Sequence, residues 1–583
     1  MFKKKKESKF GKKFRKMTSF LEEKVTKLTK VDFIIIGIFV LFYSVISFNN
    51  LGTLQNPQTF YRFTYVGEEV GIELVGESTE VSMIRHFTGD DDGSYKLYIS
   101  DDGDTFSEID QTLEQESVFA WKDTYISKKF KYLKIVSNWD SGSLGDIQLY
   151  DAYGNKLQTK ASDDQSIVIN DELDTVPIRI SYLNSSYFDE VYFARTAYEY
   201  ANGLTTEEWT HPPLGKLIQM IPILFLGMNT FAYRLMGNIA GILMIPVIYI
   251  FAKDLFKKRK WAILAAILMT FDCFHFAQTR MGTVDSFLVL FIMLSSLFMY
   301  RYCSLEDDAP LKKKLINLGL SGIFIGCSIA TKWTGFYAGL ALCIAFFTHF
   351  IISNIKGRKN HKKVKFEKDD LIVILSCVGF FVIIPLVIYI LCYLLFPNLY
   401  PYHINGISDI IKETGEMYKY HSTLDATHDF TSKWYTWPLM VRPVWYYVGY
   451  FNGDLKGTIT GIGNPAIWWF GILGAIYVLI DTIKNRKKET AYILLFILCM
   501  WLPYAFIGRI MFMYHYFPVL PFIMLANVAL IKWITDKIND NSIYYFYIGV
   551  VILFFIYFFP IISGSIETAN FIDKFKWFKS WFF

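Results

Sequence analysis

Apolar runs of about 17–25 residues recur along this chain, and most are bounded by Lys or Arg. About 20 consecutive apolar residues cross a bilayer core as a helix. VDFIIIGIFVLFYSVISF (31–48) is one such run, and Leu371 to Phe396 is another. An apolar content of 53% does not by itself decide the class, but its segregation into these runs does. The seven cysteines lie in or beside the runs with no metal-ligand spacing, and they read as small buried hydrophobes rather than a disulfide framework.

Charge then sets the topology. Residues 1–30 hold twelve Lys/Arg against three Glu, and no small-residue cleavage site follows the first apolar run. The pattern predicts a basic cytoplasmic tail over 1–31, lying against anionic lipid, before a retained first helix at 32–49. No nucleic-acid role is inferred. Basic clusters recur at 253–260, 311–314, 357–368 and 484–488, with Lys532 and Lys537 further on. Placing all of them inside gives eleven spans. They are about 32–49, 231–251, 261–277, 284–301, 315–330, 334–352, 371–395, 466–483, 490–507, 517–534 and 542–561. The apolar stretch 214–229 becomes a helix or re-entrant piece at the outer face. The C-terminus falls outside, with 562–583 as an amphipathic tail.

Residues 51–180 differ in kind, carrying 24 Asp/Glu against 11 Lys/Arg. Alternating segments such as KLYIS and YLKIV read as half-buried strands, and GDDDGS, SDDGD and DAYGNK as turns. We expect an extracytoplasmic β-sandwich over 50–180, with Trp121, Phe130 and Tyr132 in its core. Its strand-and-turn pattern resembles discoidin-type or carbohydrate-module jelly rolls. The acids at 90–92 and 101–104 are weighed as Ca²⁺ ligands and read instead as solvated turn residues.

The outer face also owns 181–230, the turns 277–283 and 508–516, and the loop 396–465. These bring Asp189 and Glu190, then His211 and Lys216 in HPPLGK, then His421 and His428. Trp434, Trp437 and Arg442 follow in SKWYTWPLMVRPVWYY, and Arg509, Tyr514 and His515 in RIMFMYHYFP. Arg280, Asp285 and Lys332 flank outer boundaries. Charges at such boundaries are functional candidates. Cations there suit a phosphate, and a carboxylate suits deprotonation of a hydroxyl. No Walker loop, dinucleotide fingerprint or HExxH pattern is present.

FDEVYFARTAYEY, THPPLGK, FAYRLMGNIAG, HFAQTRMGTVDSFL, GCSIATKWTG, SKWYTWPLMVRPVWYY, GNPAIWW and RIMFMYHYFPVLPF occur in order between about 188 and 523. With these motifs the chain resembles the protein O-mannosyltransferase family. The resemblance implies a polytopic α-helical fold of GT-C type. It implies inverting transfer of mannose from a polyprenyl-phosphate donor to Ser/Thr hydroxyls of secreted or membrane proteins, without a metal or other cofactor. It assigns Asp189 as general base and Glu190 as a positioning acid. Arg234, Arg442, Arg509, His515 and Lys332 would meet the donor phosphate or sugar. His211, Lys216, His428, Trp434 and Trp437 would position the acceptor or the loops. The setting implied is the plasma membrane, with the active site outside and association with the secretion machinery. Loop 396–465 is too short for the MIR domain of eukaryotic members, and the 50–180 domain stands beside the motif instead, which leaves acceptor choice open. The alternatives are the same chemistry with another sugar or a wall-polymer or glycolipid acceptor, or a non-catalytic scaffold or transporter.

Overall fold

A computed structural model of the chain describes residues 27–115, 117–306, 308–359, 368–396, 398 and 403–583. The expected lipid contact of the basic tail falls on residues 1–26, outside the described residues, as does most of the 357–368 cluster. Among the described residues, ten helices are long and apolar enough to cross a bilayer, and one bent pair makes an eleventh.

Helix α1 (Lys30–Phe48) opens on a reciprocal capping box between Thr29 and Asp32. The chain then enters a sandwich of strands β1 (Tyr61–Arg62), β2 (Glu69–Leu74), β3 (Thr79–Thr88), β4 (Gly93–Ser100), β5 (Ser107–Gln115), β6 (Trp121–Phe130), β7 (Tyr132–Ser137), β8 (Ser143–Tyr150) and β9 (Thr159–Ala161). One sheet runs β1-β8-β3-β6 and the other β5-β4-β7-β2-β9, with antiparallel pairing. Alternation does the sorting, as period two demands: in β7, Leu133 and Ile135 turn inward while Lys134 stays out. Val70, Ile72, Leu97, Phe130, Leu144 and Ile147 complete the core.

Phe130 sits where the sequence puts it, but Trp121 and Tyr132 do not. Trp121 is buried among Phe87, Phe119 and Ala194, on the face that meets the helices. Its backbone N–H donates to Ser185 Oγ at 3.0 Å. Tyr132 is only half-buried, at the sandwich margin. A large apolar residue in a strand signals burial, but not which partner buries it.

Beyond the sandwich come α2 (Glu190–Asn202) and α3 (Leu214–Leu226). At 1.5 Å per residue α3 is roughly 20 Å long, short of a ~30 Å hydrocarbon core. Helix α4 (Thr230–Phe256) is long enough to cross, and Asn229 caps it by accepting from the Ala232 N–H at 2.8 Å. Helices α5 (Arg259–Thr270) and α6 (Cys273–Thr279) meet at 57°. Asp272 caps α6 through His275 N–H and also accepts from Trp468 Nε1 at 3.0 Å. The break is therefore stitched to the GNPAIWW segment. Then follow α7 (Asp285–Cys303), α8 (Leu311–Thr331), α9 (Gly335–Lys359), and α10 (Lys368–Val378), which continues through a π turn into α11 (Ile384–Leu394).

The segment 396–465, expected as a loop, contains real structure. It holds α12 (Ile407–Thr423), a 3₁₀ turn over Trp434–Leu439, and the hairpin β10 (Val444–Phe451) and β11 (Leu455–Gly461). Four crossing helices follow: α13 (Pro465–Asn485), α14 (Lys488–Trp501) extended by a 3₁₀ turn, α15 (Leu520–Ile538), and α16 (Ser542–Ser563). An even number of crossings returns the chain to its starting side. Strand β12 (Ile566–Thr568) accordingly pairs with β11, and the short helix α17 (Ala569–Asp573) precedes a tail on which Trp581 Nε1 donates to the Met440 carbonyl at 2.8 Å.

The sandwich is spliced in with its ends together. The Thr53 N–H donates to the Leu183 carbonyl at 2.9 Å, and Phe231 N–H to the Thr53 carbonyl at 3.1 Å. Gly52 makes this close approach possible: a Cβ there would lie 2.6 Å from the Phe231 nitrogen. The opposite end of the bundle carries the basic residues, held partly by Arg259–Asp32 at 2.8 Å and Arg301–Asp254 at 2.7 Å.

Candidate active site

The DE motif lies where the chain turns into α2. Phe188 takes φ +52°, the left-handed region that bulky residues rarely adopt. Its ring is held by Tyr446 at 4.7 Å and Tyr514 at 6.1 Å between centroids. Asp189 follows at the N-cap position without capping the helix. It is partly buried, and among the described residues its carboxylate has no hydrogen bond or ion pair. Burial raises its carboxyl to about 7; Asp285 and Glu208 push the same way, while Lys332 pulls against them. The result is a half-buried carboxylate with a raised proton affinity and, among the described residues, no partner of its own.

Glu190 has the opposite surroundings. It is fully buried and accepts from Arg234 Nε and Nη2, each at 2.7 Å, from Gly282 N–H at 2.9 Å, from Tyr187 N–H at 3.1 Å and from Tyr233 OH at 3.3 Å. A Cβ at Gly282 would fall 2.7 Å from the Tyr233 ring, so the glycine of RMGTVDSF permits this contact. Arg234 gives its remaining N–H groups to the carbonyls of Leu51, Tyr182 and Ser185. All five donors are used. That geometry corrects the expectation that Arg234 meets the donor phosphate: it locks Glu190, α1 and the 182–185 segment together. Arg280, at the same end, caps α1 by donating to the carbonyls of Ser47, Asn49 and Asn50.

HPPLGK forms a second buried network. Lys216 Nζ donates to Glu208 Oε2 at 2.5 Å and to the carbonyls of Glu208 and His211 at 2.7 and 2.9 Å. Its three protons are thereby spent on the loop itself, which fits the loop-positioning half of the expectation for Lys216. His211 Nδ1 lies 3.0 Å from Glu208 Oε1. Burial opposes the charge on Glu208, yet Lys216 and His211 hold its carboxyl well below the usual range. Burial lowers His211 despite that partner. His421, on α12, stacks edge-on to His211 at 5.4 Å and donates from Nε2 to the Thr210 carbonyl at 2.7 Å. Its Nδ1 is left as a buried acceptor with no partner among the described residues, and burial lowers the ring to about 4.

Lys332 pairs with Asp285 at 2.9 Å and lies over Tyr514 at 5.5 Å. Arg509 acts electrostatically on His421 and, among the described residues, has no ion pair. His515 stacks on Tyr514 at 4.5 Å and on Trp437 at 6.0 Å. Trp437 is fully buried and donates to Ser432 Oγ at 3.0 Å; Trp434 packs on Trp501 at 5.3 Å. Both shape the wall. Arg442 lies over Phe430 and Phe582 at 5.6 and 5.4 Å, with Nε buried and, among the described residues, unpartnered. His428 is exposed, accepts from Phe430 N–H at 3.1 Å, and packs on Phe512. The structure thus gathers Asp189, Asp285, Lys332, His211, Tyr514 and Arg509, and keeps His428 at the rim. Tyr446 and Glu208 were not singled out from the sequence. Tyr446 donates to Gln278, linking the hairpin to α6, and a tyrosine in an aromatic run carries no mark of such a role.

The long apolar helices make this a multi-pass membrane protein, with a half-buried carboxylate and boundary cations gathered at its sandwich end. Two family profiles match it: "Dolichyl-phosphate-mannose-protein mannosyltransferase" over residues 175–400, and "C-terminal four TMM region of protein-O-mannosyltransferase" over 407–581. The chain belongs to the protein O-mannosyltransferase family. It is 23% identical over 459 residues to the polyprenol-phosphate-mannose–protein mannosyltransferase of Mycolicibacterium smegmatis, covering 68% of this chain and 87% of that one. To the Corynebacterium glutamicum protein of the same name it is 24% identical, covering 64% and 81%. Its fold matches the Saccharomyces cerevisiae protein O-mannosyltransferase Pmt1-Pmt2 complex bound to the sugar donor, with TM-score 0.58 at 14% identity, covering 68% of this chain and 89% of that one.

Proposed function

We propose that this chain transfers mannose from a polyprenyl-phosphate donor to Ser/Thr hydroxyls of secreted or membrane proteins at the extracytoplasmic face, with inversion. The uncommitted Asp189 carboxylate carries the reading. The acceptor hydroxyl attacks the anomeric carbon, its proton passes to Asp189, and the sugar C–O bond to phosphate breaks, releasing polyprenyl phosphate. Charge develops on that phosphate, where preorganised cations are most effective. Arg509 and Arg442, without ion-pair partners among the described residues, are the groups left to meet it. Lys332 is shared with Asp285, and His515 supports the wall through its stacking. Glu190 acts as a positioning residue through Arg234.

The sandwich end faces outward in this reading, because the opposite end holds the basic clusters. The plasma membrane is the setting, and the acceptors are chains arriving from the secretion machinery. The test is transfer by purified protein from radiolabelled polyprenyl-phosphate-mannose to Ser/Thr peptides. Label on peptide that vanishes in Asp189→Asn is expected. Undiminished transfer by that variant removes Asp189 as the base, and no label with any peptide directs attention to a non-protein acceptor.

A further inference from the structure

In the acidic turns at 90–92 and 101–104 several carboxylates already have partners. Asp90 pairs with Arg62 at 2.6 Å and Asp91 with Arg195 at 3.1 Å. Asp102 accepts from the N–H groups of Asp104 and Thr105 within its own turn. A different set of acids converges at the root of the sandwich. Asp146 on β8 meets Asp171 and Glu172, which lie between the 3₁₀ turns Gln165–Ile169 and Leu173–Thr175. One carboxylate oxygen from each lies within 4.8 Å of the other two.

Among the described residues no Lys or Arg pairs with any of the three. Their partners are neutral. Glu172 Oε2 accepts from the N–H groups of Gln58 and Thr59 at 2.6 and 3.0 Å. Asp171 accepts from Thr59 Oγ1 at 3.2 Å, and Asp146 Oδ1 from Glu172 N–H at 3.0 Å. Asp146 is 0% exposed, and its second oxygen, Oδ2, has no partner among the described residues. A buried carboxylate oxygen left bare is costly unless a cation or proton satisfies it. Asp171, Glu172 and Asp174 all raise the burden on Asp146.

We propose that Asp146, Asp171 and Glu172 bind a Ca²⁺ ion at the point where the sandwich joins the membrane part. The ligand set is oxygen-only, which suits a hard cation rather than zinc or copper. Mg²⁺ demands octahedral geometry and retains its waters, whereas Ca²⁺ accepts irregular carboxylate cages. The site joins the outgoing arm, through Gln58 and Thr59, to the returning segment 171–172. Gln58 also donates to the Met228 carbonyl at 3.0 Å, at the start of α4. The ion would therefore fix how the sandwich is seated.

The test uses the full-length chain in detergent, stripped with chelator, with ⁴⁵Ca²⁺ binding and thermal unfolding as readouts. Saturable binding near ~1 mM, the range of extracellular modules, is expected, with a rise in Tm. Asp146→Asn and the exposed Asp171→Asn should each weaken binding at least tenfold, while Asp101→Asn should not. Asp171→Asn, at the surface, keeps the test valid if Asp146→Asn folds poorly. Binding unchanged in both variants, or no saturable binding in the wild type, overturns the proposal. An equal Tm rise with MgCl₂ overturns the assignment to Ca²⁺.

Discussion

Asp189 and Glu190 are adjacent, yet the Glu190 carboxylate accepts from five donors and the Asp189 carboxylate from none among the described residues. The turn at Phe188 separates their fates, setting Glu190 into the protein and leaving Asp189 half-buried. Asp189→Asn should lower transfer by about 10²–10⁴-fold, the usual worth of a general base, with donor binding retained. Because burial raises Asp189 to about 7, kcat/KM should climb as pH rises through that value and level above it. The linked effect on stability has the opposite sign. An acid whose folded pKa exceeds its unfolded one loses stability as pH rises between them. Asp189→Asn should therefore raise Tm more at pH 8 than at pH 5, a comparison made by thermal unfolding.

The two kinds of arginine should separate cleanly. Arg234→Ala leaves Glu190 as an uncompensated buried charge, a loss of about 3–5 kcal/mol for such pairs, and should appear as poor folding or a much lower Tm. Arg509→Ala should leave Tm near the wild-type value and raise the donor KM about ten- to a hundredfold, as for a lost hydrogen bond to a charged group. Equal Tm losses in both would place Arg509 in the scaffold.

At the scale of elements, the spans were legible because lipid demands long apolar helices and admits few charges. The reading of 214–229 as a helix too short to cross rested on charge accounting, and the 13 residues of α3 agree with it. The break at 271–272 was not legible. Its cause is a capping aspartate satisfied by Asn464 and Trp468, far away in sequence. Helix α12 was missed for a similar reason: its buried face, with Ile410 and Met417, is narrow, and its composition is polar. Within the site, the sequence marked charged residues well but not their commitments. Arg234 looks like a ligand-binding cation until its partners are counted, and three of its five hydrogen bonds go to backbone carbonyls, which leave no trace in sequence.

The whole molecule has one end rich in Lys and Arg and another bearing the sandwich, hairpin and site. That arrangement requires an odd number of crossings between Thr29 and the C-terminal tail. Arg486 and Asp101 are exposed on opposite ends. In a cysteine-free background, Asp101→Cys should react with an impermeant thiol reagent added outside intact cells, and Arg486→Cys only after the membrane is opened. Reversed labelling would invert the topology and move the reaction to the cytoplasm.

The joint at Thr53 and Leu183 has a meaning beyond stability. Some 130 residues depart and return through a single hydrogen-bonded gap, held by the same guanidinium that steadies the motif. Such a joint makes the inserted unit a replaceable cassette. Diversity among these proteins should then concentrate in what is plugged into this socket.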